Sequence, residues 1–472
     1  MNTETVRQNA VCRFFNSTTA FRFVFLSSLF FQINDFFSPL SWAIMVWSVY
    51  LFCRELIKGQ HLRKIRHRKI LYFFMGAALL TVIINFRENL AGNLYVLYWL
   101  SLCFFFFYGL HADHDHEHRK HEAVILLDFI SGMTTLAMIV GLVLLAVFPK
   151  GLHMFDRDFA IYENRFVGII VNANVLAFYA VMAIVATHIL WKMKKADGTL
   201  GRKTKILYTV YAVINMISLF LSDSNASLLF IMVYFSFLAF YCIFKGFGKF
   251  DFLSFVLRVI ATLLACVVTI LILFCMRSFT QSCVSLMLTN GESKTQMSNS
   301  IKTDNGSVQI TDDVGSSSPT TFKHENKNID SGRFVIWKQA LGLFEKFPVM
   351  GIGKDNIVSY GKTYLGGLKY DDFHNGLLTI IISFGLVGFT IFMVLAITVA
   401  KTFLKAIFNY REKCRQDGNV LVLIVAFCAA YSVYSMFEVA LLLDLSYRVF
   451  IFWYMIGLGL SYATHYERQG DS

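Results

Sequence analysis

Charge and proline are what this sequence has least of. Charged residues make up 16% of its 472 positions, and proline occurs 4 times. A soluble globular chain carries about a quarter charged residues, and at this length it would divide into several domains. The cysteines have neither the spacing of a metal site nor that of a disulfide framework. Cys53, Cys103, Cys242, Cys266, Cys275 and Cys428 fall in or beside apolar stretches, where cysteine packs as a small hydrophobe. The first apolar stretch has no small-residue cleavage site, so no cleavable signal peptide is expected.

What is abundant is apolar: 56% of the residues are hydrophobic and 49 are Phe. They come in blocks suited to a bilayer, which a helix of roughly 20 apolar residues spans. Lipid offers the backbone no hydrogen-bond partners, so each block must be helical. The blocks are Phe14–Ile33 (which contains Arg22), Leu40–Phe52, Ile70–Phe86, Leu94–Leu110, Ala123–Phe148 and Phe166–Leu190. Then come Ile206–Leu221, Ala226–Phe244, Phe252–Met276, Gly376–Ala400, Val420–Phe437 and Val449–Tyr462. The expected fold is all-α, a polytopic membrane helix bundle of about 12 spans.

The net charge is +12. Its placement points to a membrane rather than to nucleic acid. Arg54, Lys58, Arg63, Lys64, Arg66, Arg68 and Lys69 follow the second block, Lys192 to Lys205 the sixth, and Lys401 to Arg415 the tenth. Short Lys/Arg-rich loops stay in the cytoplasm. Even-numbered loops and both termini are therefore expected inside, and odd-numbered loops outside.

Three regions are expected: a membrane bundle over 1–277, an external loop over 278–375 between spans nine and ten, and spans plus a cytoplasmic tail over 376–472. The loop divides again. Its first part, 278–330, is polar and rich in Ser, Thr and Asn, and reads as flexible. Its second part, 331–375, reads as ordered. Ser331 is a candidate N-cap, and Phe334, Trp337, Leu341 and Phe344 recur at helical spacing. They predict an amphipathic helix on the outer membrane surface, ended by Pro348.

Arg333 and His374 flank the return of this loop into the membrane. Histidine is the commonest general base near neutral pH, and the planar fork of arginine grips a diphosphate. Asn172, Asn174, Asp128 and Glu438 are polar residues in or at the ends of spans, where they are costly unless they face a cavity or each other. Glu438 is placed to orient an acceptor or a basic residue. The run His111-Ala112-Asp113-His114-Asp115-His116-Glu117-His118, with His121 beyond, has the composition of a metal tract or of a solvated cytoplasmic loop. No metal site is assigned to it. Inverted or parallel repeats, the mark of many transporters, do not show.

The stretch Ser331-Gly332-Arg333-Phe334-Val335-Ile336-Trp337, then Pro348-Val349-Met350-Gly351-Ile352-Gly353, then His374-Asn375 with Gly385 and Gly388 beyond, resembles the O-antigen ligase and polysaccharide polymerase family. Arg165-Phe166-Val167-Gly168 followed by Asn172-Ala173-Asn174 is similar to that family's Arg-x-x-Gly and Asn-Pro-Asn element, with Ala173 in place of proline. Ser222-Asp223-Ser224-Asn225 departs from the family's Ser-Arg pair, with Asn225 where the arginine would fall. Lys354, Arg157 and Lys150 are the candidates to compensate.

The resemblance implies a C-type glycosyltransferase-like fold. It also implies metal-independent glycosyl transfer, without cofactor, on the outer face of a bacterial cytoplasmic membrane. The donor would be a polyprenyl-diphosphate-linked glycan and the acceptor a glycan or lipid. His374 and Arg333 would be catalytic. Arg165, Asn172, Asn174, Trp337, Lys354, Asn375 and Glu438 would bind substrate. A flippase and a chain-length regulator would be accessory partners. Two enzymes fit: a polymerase of surface-polysaccharide repeat units, favoured by the Ser-Gly-Arg-x-x-x-Trp motif and the long insert, and a ligase to another acceptor such as lipid A core. A lipid-linked oligosaccharide flippase is the reading from another class.

Overall fold

The computed structural model describes residues 11–31, 38–58, 61–113, 115–154, 157–170, 172–245, 251–300, 333–368 and 372–470, without the side chains of 38, 58 and 289–300. The expectations for the polar stretch 301–330, for Ser331 as a cap, and for His114 and Asp371 lie outside the described residues.

The all-α expectation holds. In chain order the helices are α1 Thr18–Phe30, α2 Ser38–Lys58, α3 Arg68–Ile84, α4 Leu90–Leu102, α5 His116–Val147, α6 Ala173–Ala196, α7 Arg202–Leu221, α8 Asn225–Phe244 and α9 Phe252–Ser300. They continue with α10 Arg333–Lys346, α11 Ile357–Leu365, α12 Gly376–Asn409, α13 Val420–Tyr434 and α14 Tyr447–Gly470. Each apolar block overlaps one of these helices. Among the described residues, eight helices are long and apolar enough to cross a membrane: α2, α4 with its continuation to Ala112, α5 to α9, and α12. The helices α1 and α13 are apolar but shorter.

Two differences from the sequence reading concern the chain's functional segments. The sixth helix begins at Ala173, not Phe166. Residues before it form a three-stranded antiparallel sheet of β1 Leu152–Met154, β2 Arg157–Tyr162 and β3 Arg165–Gly168. Glu163 and Asn164 turn β2 into β3 with φ of 49° and 57°, the pair of positive values that suits a two-residue hairpin. A short apolar run such as Phe166–Ile170 cannot be told from helix by periodicity alone. The second difference is α9, which runs past Arg277, where the loop was expected to begin. Polar side chains on this extension find partners at the turn after α7: the Gln281 amide donates to Phe220 O at 2.9 Å and Asp223 Oδ1 at 3.1 Å.

The chain divides into two compact units, Met1–Leu126 with Asp330–Ser472, and Leu127–Ile329. In the first, aromatic side chains pack α14 against its neighbours. The Phe450 ring lies 4.6 Å from Phe25 and 5.0 Å from Trp99, and Phe452 stacks on Tyr431 at 4.2 Å. Where α14 crosses α4, the latter widens to a π turn over Cys103–Phe107. Gly457 admits the contact, since a Cβ there would meet Phe107 O at 2.1 Å. Widening also turns the Phe106 carbonyl outward, and Arg22 Nη1 donates to it at 3.1 Å. The same guanidinium pairs with Asp113 at 2.5 Å and Glu122 at 2.7 Å. An arginine inside an apolar block is thus matched by two carboxylates about a hundred positions away.

The fold of α12 is the feature that builds the site. Its helix breaks at Gly385, where φ is 63° and ψ is −170°, a region open almost only to glycine. The turn Pro348–Gly353 fills the break. Ile352 N and Gly353 N donate to Ile382 O and Ser383 O, at 3.1 and 2.9 Å. Leu386 N and Val387 N donate to Pro348 O and Val349 O, at 2.8 and 3.2 Å. Around this exchange Ile336, Ala340, Leu343, Ile352, Ile357, Phe373 and Ile382 form a small core. The buried face of α10 is therefore Ile336–Ala340–Leu343. Of the stripe expected from the sequence, Trp337 and Phe344 pack at the edge of this core, while Phe334 and Leu341 are 68% and 51% exposed. The helix is apolar on two faces, and its neighbour α12 selects one.

In the second unit α6 packs against α7 and α8, and β3 against α6. Asp128, the acid in the fifth block, accepts from Lys194 Nζ at 2.9 Å and Tyr208 OH at 2.6 Å. It is an interhelical tie.

Replacing Gly385 tests the broken helix. A Cβ there would lie 2.1 Å from Val349 O, on top of about 1–3 kcal/mol for the backbone conformation alone. Gly385→Ala should lower the unfolding temperature of the purified protein strongly. Gly76→Ala, where nothing lies within 4 Å, should leave it unchanged or slightly higher. Equal behaviour of the two variants in a thermal-unfolding assay would show that the break is not required.

Candidate active site

The first unit collects Arg333, Trp337, Lys354, His374, Asn375 and Glu438, and the second collects Arg165, Asn172 and Asn174.

His374 is the last residue but one before α12. Its φ is 44°, a left-handed conformation that non-glycine residues hold only under constraint. Both neighbours supply constraint. Phe373 is fully buried and its carbonyl accepts from Trp337 Nε1 at 3.1 Å. Asn375 caps α12, its side-chain oxygen accepting from Leu377 N and Leu378 N at 3.0 Å each. Trp337 and Asn375 thus hold the histidine from either side. Asp372 completes the setting: its Oδ1 accepts from His374 N at 2.8 Å and lies 3.2 Å from Nδ1. A carboxylate at Nδ1 favours the tautomer with its proton there and the lone pair on Nε2. The His374 side chain is 36% exposed, so it is open to a substrate.

Arg333 begins α10. Its Nη2 donates to Phe437 O at 3.3 Å, and its guanidinium lies 5.9 Å from the Phe437 ring centre. Its Nε is buried with no hydrogen-bond partner among the described residues. The turn that receives Arg333 also receives α12, because Gly376 N donates to Ser435 O at 2.7 Å. One turn, Ser435–Glu438, therefore holds both the arginine and the start of the histidine's helix. It lies past α13, which ends three residues before the expected span end at Phe437. Glu438 is buried and pairs with Arg448 at 3.4 Å. Arg448 also pairs with Asp444 at 2.8 Å and donates to Tyr434 OH at 3.3 Å.

Lys354 opens a 3-10 turn, Lys354–Asn356, half-buried and directly after the Pro348–Gly353 segment. That segment is tied down by polar residues the sequence reading did not single out. Thr81 Oγ1 donates to Met350 O at 2.7 Å and Asn85 Nδ2 to Gly351 O at 3.3 Å. Asn89 Nδ2 donates to Asp355 O at 3.1 Å. Asn93 accepts from Asp355 N at 3.2 Å and donates to Asn356 Oδ1 at 3.1 Å. Their signal was present: Asn85, Asn89 and Asn93 recur every fourth residue across the α3–α4 connection.

In the second unit Arg165 opens β3. Its Nε donates to Ser222 O at 2.8 Å and its Nη2 to Asn174 Oδ1 at 2.6 Å. Asn172 caps α6, accepting from Asn174 N at 2.8 Å and Val175 N at 3.3 Å. The two asparagines thus belong to the helix start rather than to its interior, and they fix Arg165. A further arginine reaches the same turn: Arg277 pairs with Asp223 and donates to Asn225 Oδ1 at 3.0 Å. A guanidinium from α9 thus lies beside Asn225.

Among the described residues no group of three or more His, Cys, Asp or Glu could hold a metal ion. The histidine tract is built in at two of its histidines, while Asp115, Glu117, His118 and His121 are exposed. His111 and His116 are buried; His111 Nε2 accepts from Arg66 N at 2.9 Å, and His116 Nδ1 meets Ser461 Oγ at 3.2 Å. Outside the spans, Asp113 is held below the usual carboxylate range: burial opposes its charge, but Arg22 and His61 more than offset that.

Asn93 gives the direct test of the tethered segment. Removing its amide leaves Asp355 N and the buried Asn356 Oδ1 without this partner, at about 1–3 kcal/mol for each orphaned group. Asn93→Leu should lower the unfolding temperature and impair any activity of the loop, whereas Asn16→Leu, at an exposed site, should do neither. Unchanged stability in Asn93→Leu would remove the tether from the account.

Comparison with known proteins bears on residues 210–393, which match the family model described as Wzy_C: O-Antigen ligase. No curated protein matches the chain significantly. The matched segment begins in α7 and ends in α12 beyond the break at Gly385, so it contains Arg277, Arg333, Trp337, Lys354, His374 and Asn375. With its apolar helices and this match, the chain is a multi-pass membrane protein whose residues 210–393 are similar to the O-antigen ligase domain.

Proposed function

We propose that this protein is a membrane polymerase joining polyprenyl-diphosphate-linked repeat units of a surface polysaccharide on the outer face of the cytoplasmic membrane. The observation that supports the reading best is the pairing of Asp372 with His374 beside the turn that receives Arg333.

In the proposed reaction an acceptor hydroxyl oxygen attacks the anomeric carbon of the donor. His374 Nε2 takes the hydroxyl proton. The bond from that carbon to the diphosphate oxygen breaks, and the polyprenyl diphosphate leaves with the electron pair. Attack opposite the leaving group inverts the anomeric centre. Asp372, at Nδ1, keeps the imidazole in the required tautomer and stabilises the imidazolium that forms. Arg333 meets charge as it builds on the diphosphate, where a fixed donor contributes most. The resemblance implies a substrate-binding role for Arg165 as well. Lys354 and Glu438 are assigned to substrate, Glu438 through Arg448.

The polar loop and both tested residues would face outward, and the Lys/Arg-rich loops and both termini inward. A flippase would supply the donor, and a chain-length regulator would set when extension stops.

Purified protein reconstituted with a lipid-diphosphate oligosaccharide should give a product ladder and release lipid diphosphate. His374→Ala should slow this by about 10²–10⁴-fold, and Arg333→Ala should do so comparably with normal folding. Asp372→Asn should slow it less and alter its pH profile. An intact ladder from His374→Ala and Arg333→Ala would sink the mechanism. Transfer to a lipid A core acceptor with no ladder would identify a ligase, and lipid flipping without transfer a transporter.

A further inference from the structure

At the end of the first unit away from His374 there is a cavity of about 530 Å³. It lies among the connection before α3, the connection into α5, and the last turns of α14. Twenty residues of α14 separate Arg448, near the candidate active site, from Arg468 at the cavity, or roughly 30 Å of helix. The cavity is a separate place.

Its lining is basic. Lys64, Arg66, Arg119 and Arg468 face it against two carboxylates, Asp113 and Asp115. One of those carboxylates is already matched: Asp113 pairs with Arg22 at 2.5 Å and His61 at 2.8 Å. Arg66 is matched too, gripping Glu467 at 2.8 and 3.1 Å. Arg119 is 5% exposed and built into the wall, its Nε donating to Ser461 Oγ at 2.6 Å and its Nη1 to His111 O at 3.0 Å. Lys64 and Arg468 are exposed at the rim. Two helix connections and the end of α14 thus bring cations to one recess, in excess over the acids there.

Basic recesses between membrane helices, at the end where positive loops gather, suit phosphate-bearing headgroups. Arginine grips such a group with two parallel hydrogen bonds, and lysine meets it as a point charge. A volume of several hundred Å³ suits a small organic ligand. We infer that this cavity is a binding site for a phosphate group, carried by an anionic phospholipid headgroup or free in solution, with Arg119 in its wall and Lys64 and Arg468 at its rim.

The test uses the full chain in detergent and two probes, phosphatidylglycerol and inorganic phosphate, each titrated against the unfolding temperature. The wild type should be stabilised by at least one probe in a saturable way. Lys64→Gln/Arg468→Gln, two exposed positions, should unfold at the wild-type temperature without probe and bind roughly thirtyfold more weakly, at about 1 kcal/mol for each cation lost near a membrane surface. Lys64→Gln alone should bind roughly fivefold more weakly by the same measure. Stabilisation by phosphatidylglycerol but not inorganic phosphate assigns the lipid as the source. Saturation by inorganic phosphate assigns the free anion. No stabilisation by either probe, or the same response from both variants and the wild type, overturns the inference.

Discussion

Four backbone hydrogen bonds between the Pro348–Gly353 turn and the break in α12 set the terms for the rest of the first unit. A helix broken inside a membrane exposes amides and carbonyls that lipid cannot satisfy, at several kcal/mol each. The break is therefore tolerable only if another segment supplies partners at that depth. Residues 382–387 lie roughly 10–15 Å along α12 from its first residue, by the rise per residue. The turn must descend that far. It can do so because its own carbonyls are met in turn, by Thr81 and Asn85 from α3. The glycines follow from the closeness of the strands: a Cβ on Gly351 would lie 2.6 Å from Gly385 N, and one on Gly353 would lie 2.6 Å from Asn93 Oδ1.

This constraint carries directly to the chemistry. A chain that descends at Pro348 and climbs again through α11 has to re-enter at Gly376, and the residues before re-entry become a short, tight strap. Trp337 holds the strap at Phe373, the Asn375 cap holds it at α12, and Ser435 receives Gly376 N. His374 sits between these fixed points in a left-handed conformation that no free loop would keep. In the proposed reaction this rigidity would have a use. A general base must sit within hydrogen-bond reach of its proton, and a base on a loose loop would lose that position for much of the time.

Much of the architecture was legible because its signals are local. Apolar blocks marked the helices, and clustered Lys and Arg marked the loops between them. The helix α10, the turn and the His-Asn start of α12 could be read as a pattern of residues. What could not be read were partnerships across the chain. Nothing near Arg22 announces Asp113 and Glu122, and nothing near Asn225 announces Arg277, 52 residues on. The sheet before α6 was hidden for a different reason. Its third strand is a short apolar run next to an apolar helix, and hydropathy merges the two. Gly385 shows the opposite case: its position in a motif was visible, but its reason, a close backbone approach with positive φ, needed the partner strand.

The charged residues fall into two kinds, and the difference points to function. Arg22 faces Asp113 and Glu122, Lys194 faces Asp128, and Arg448 faces Glu438 and Asp444. Each cation is answered by a carboxylate, as burial requires when a charge leaves water. Arg333 is answered otherwise. It meets a carbonyl and an aromatic face at Phe437, and its Nε has no partner among the described residues. A buried donor without a partner costs about 1–3 kcal/mol, and native structures hold few of them without reason. If the site existed only for stability, a carboxylate near Arg333 would remove that cost. Such a carboxylate would also compete with any anionic substrate for the same fork of donors. In the proposed mechanism, an Arg333 with no carboxylate partner among the described residues would keep its guanidinium for a ligand that brings its own negative charge, as a diphosphate does.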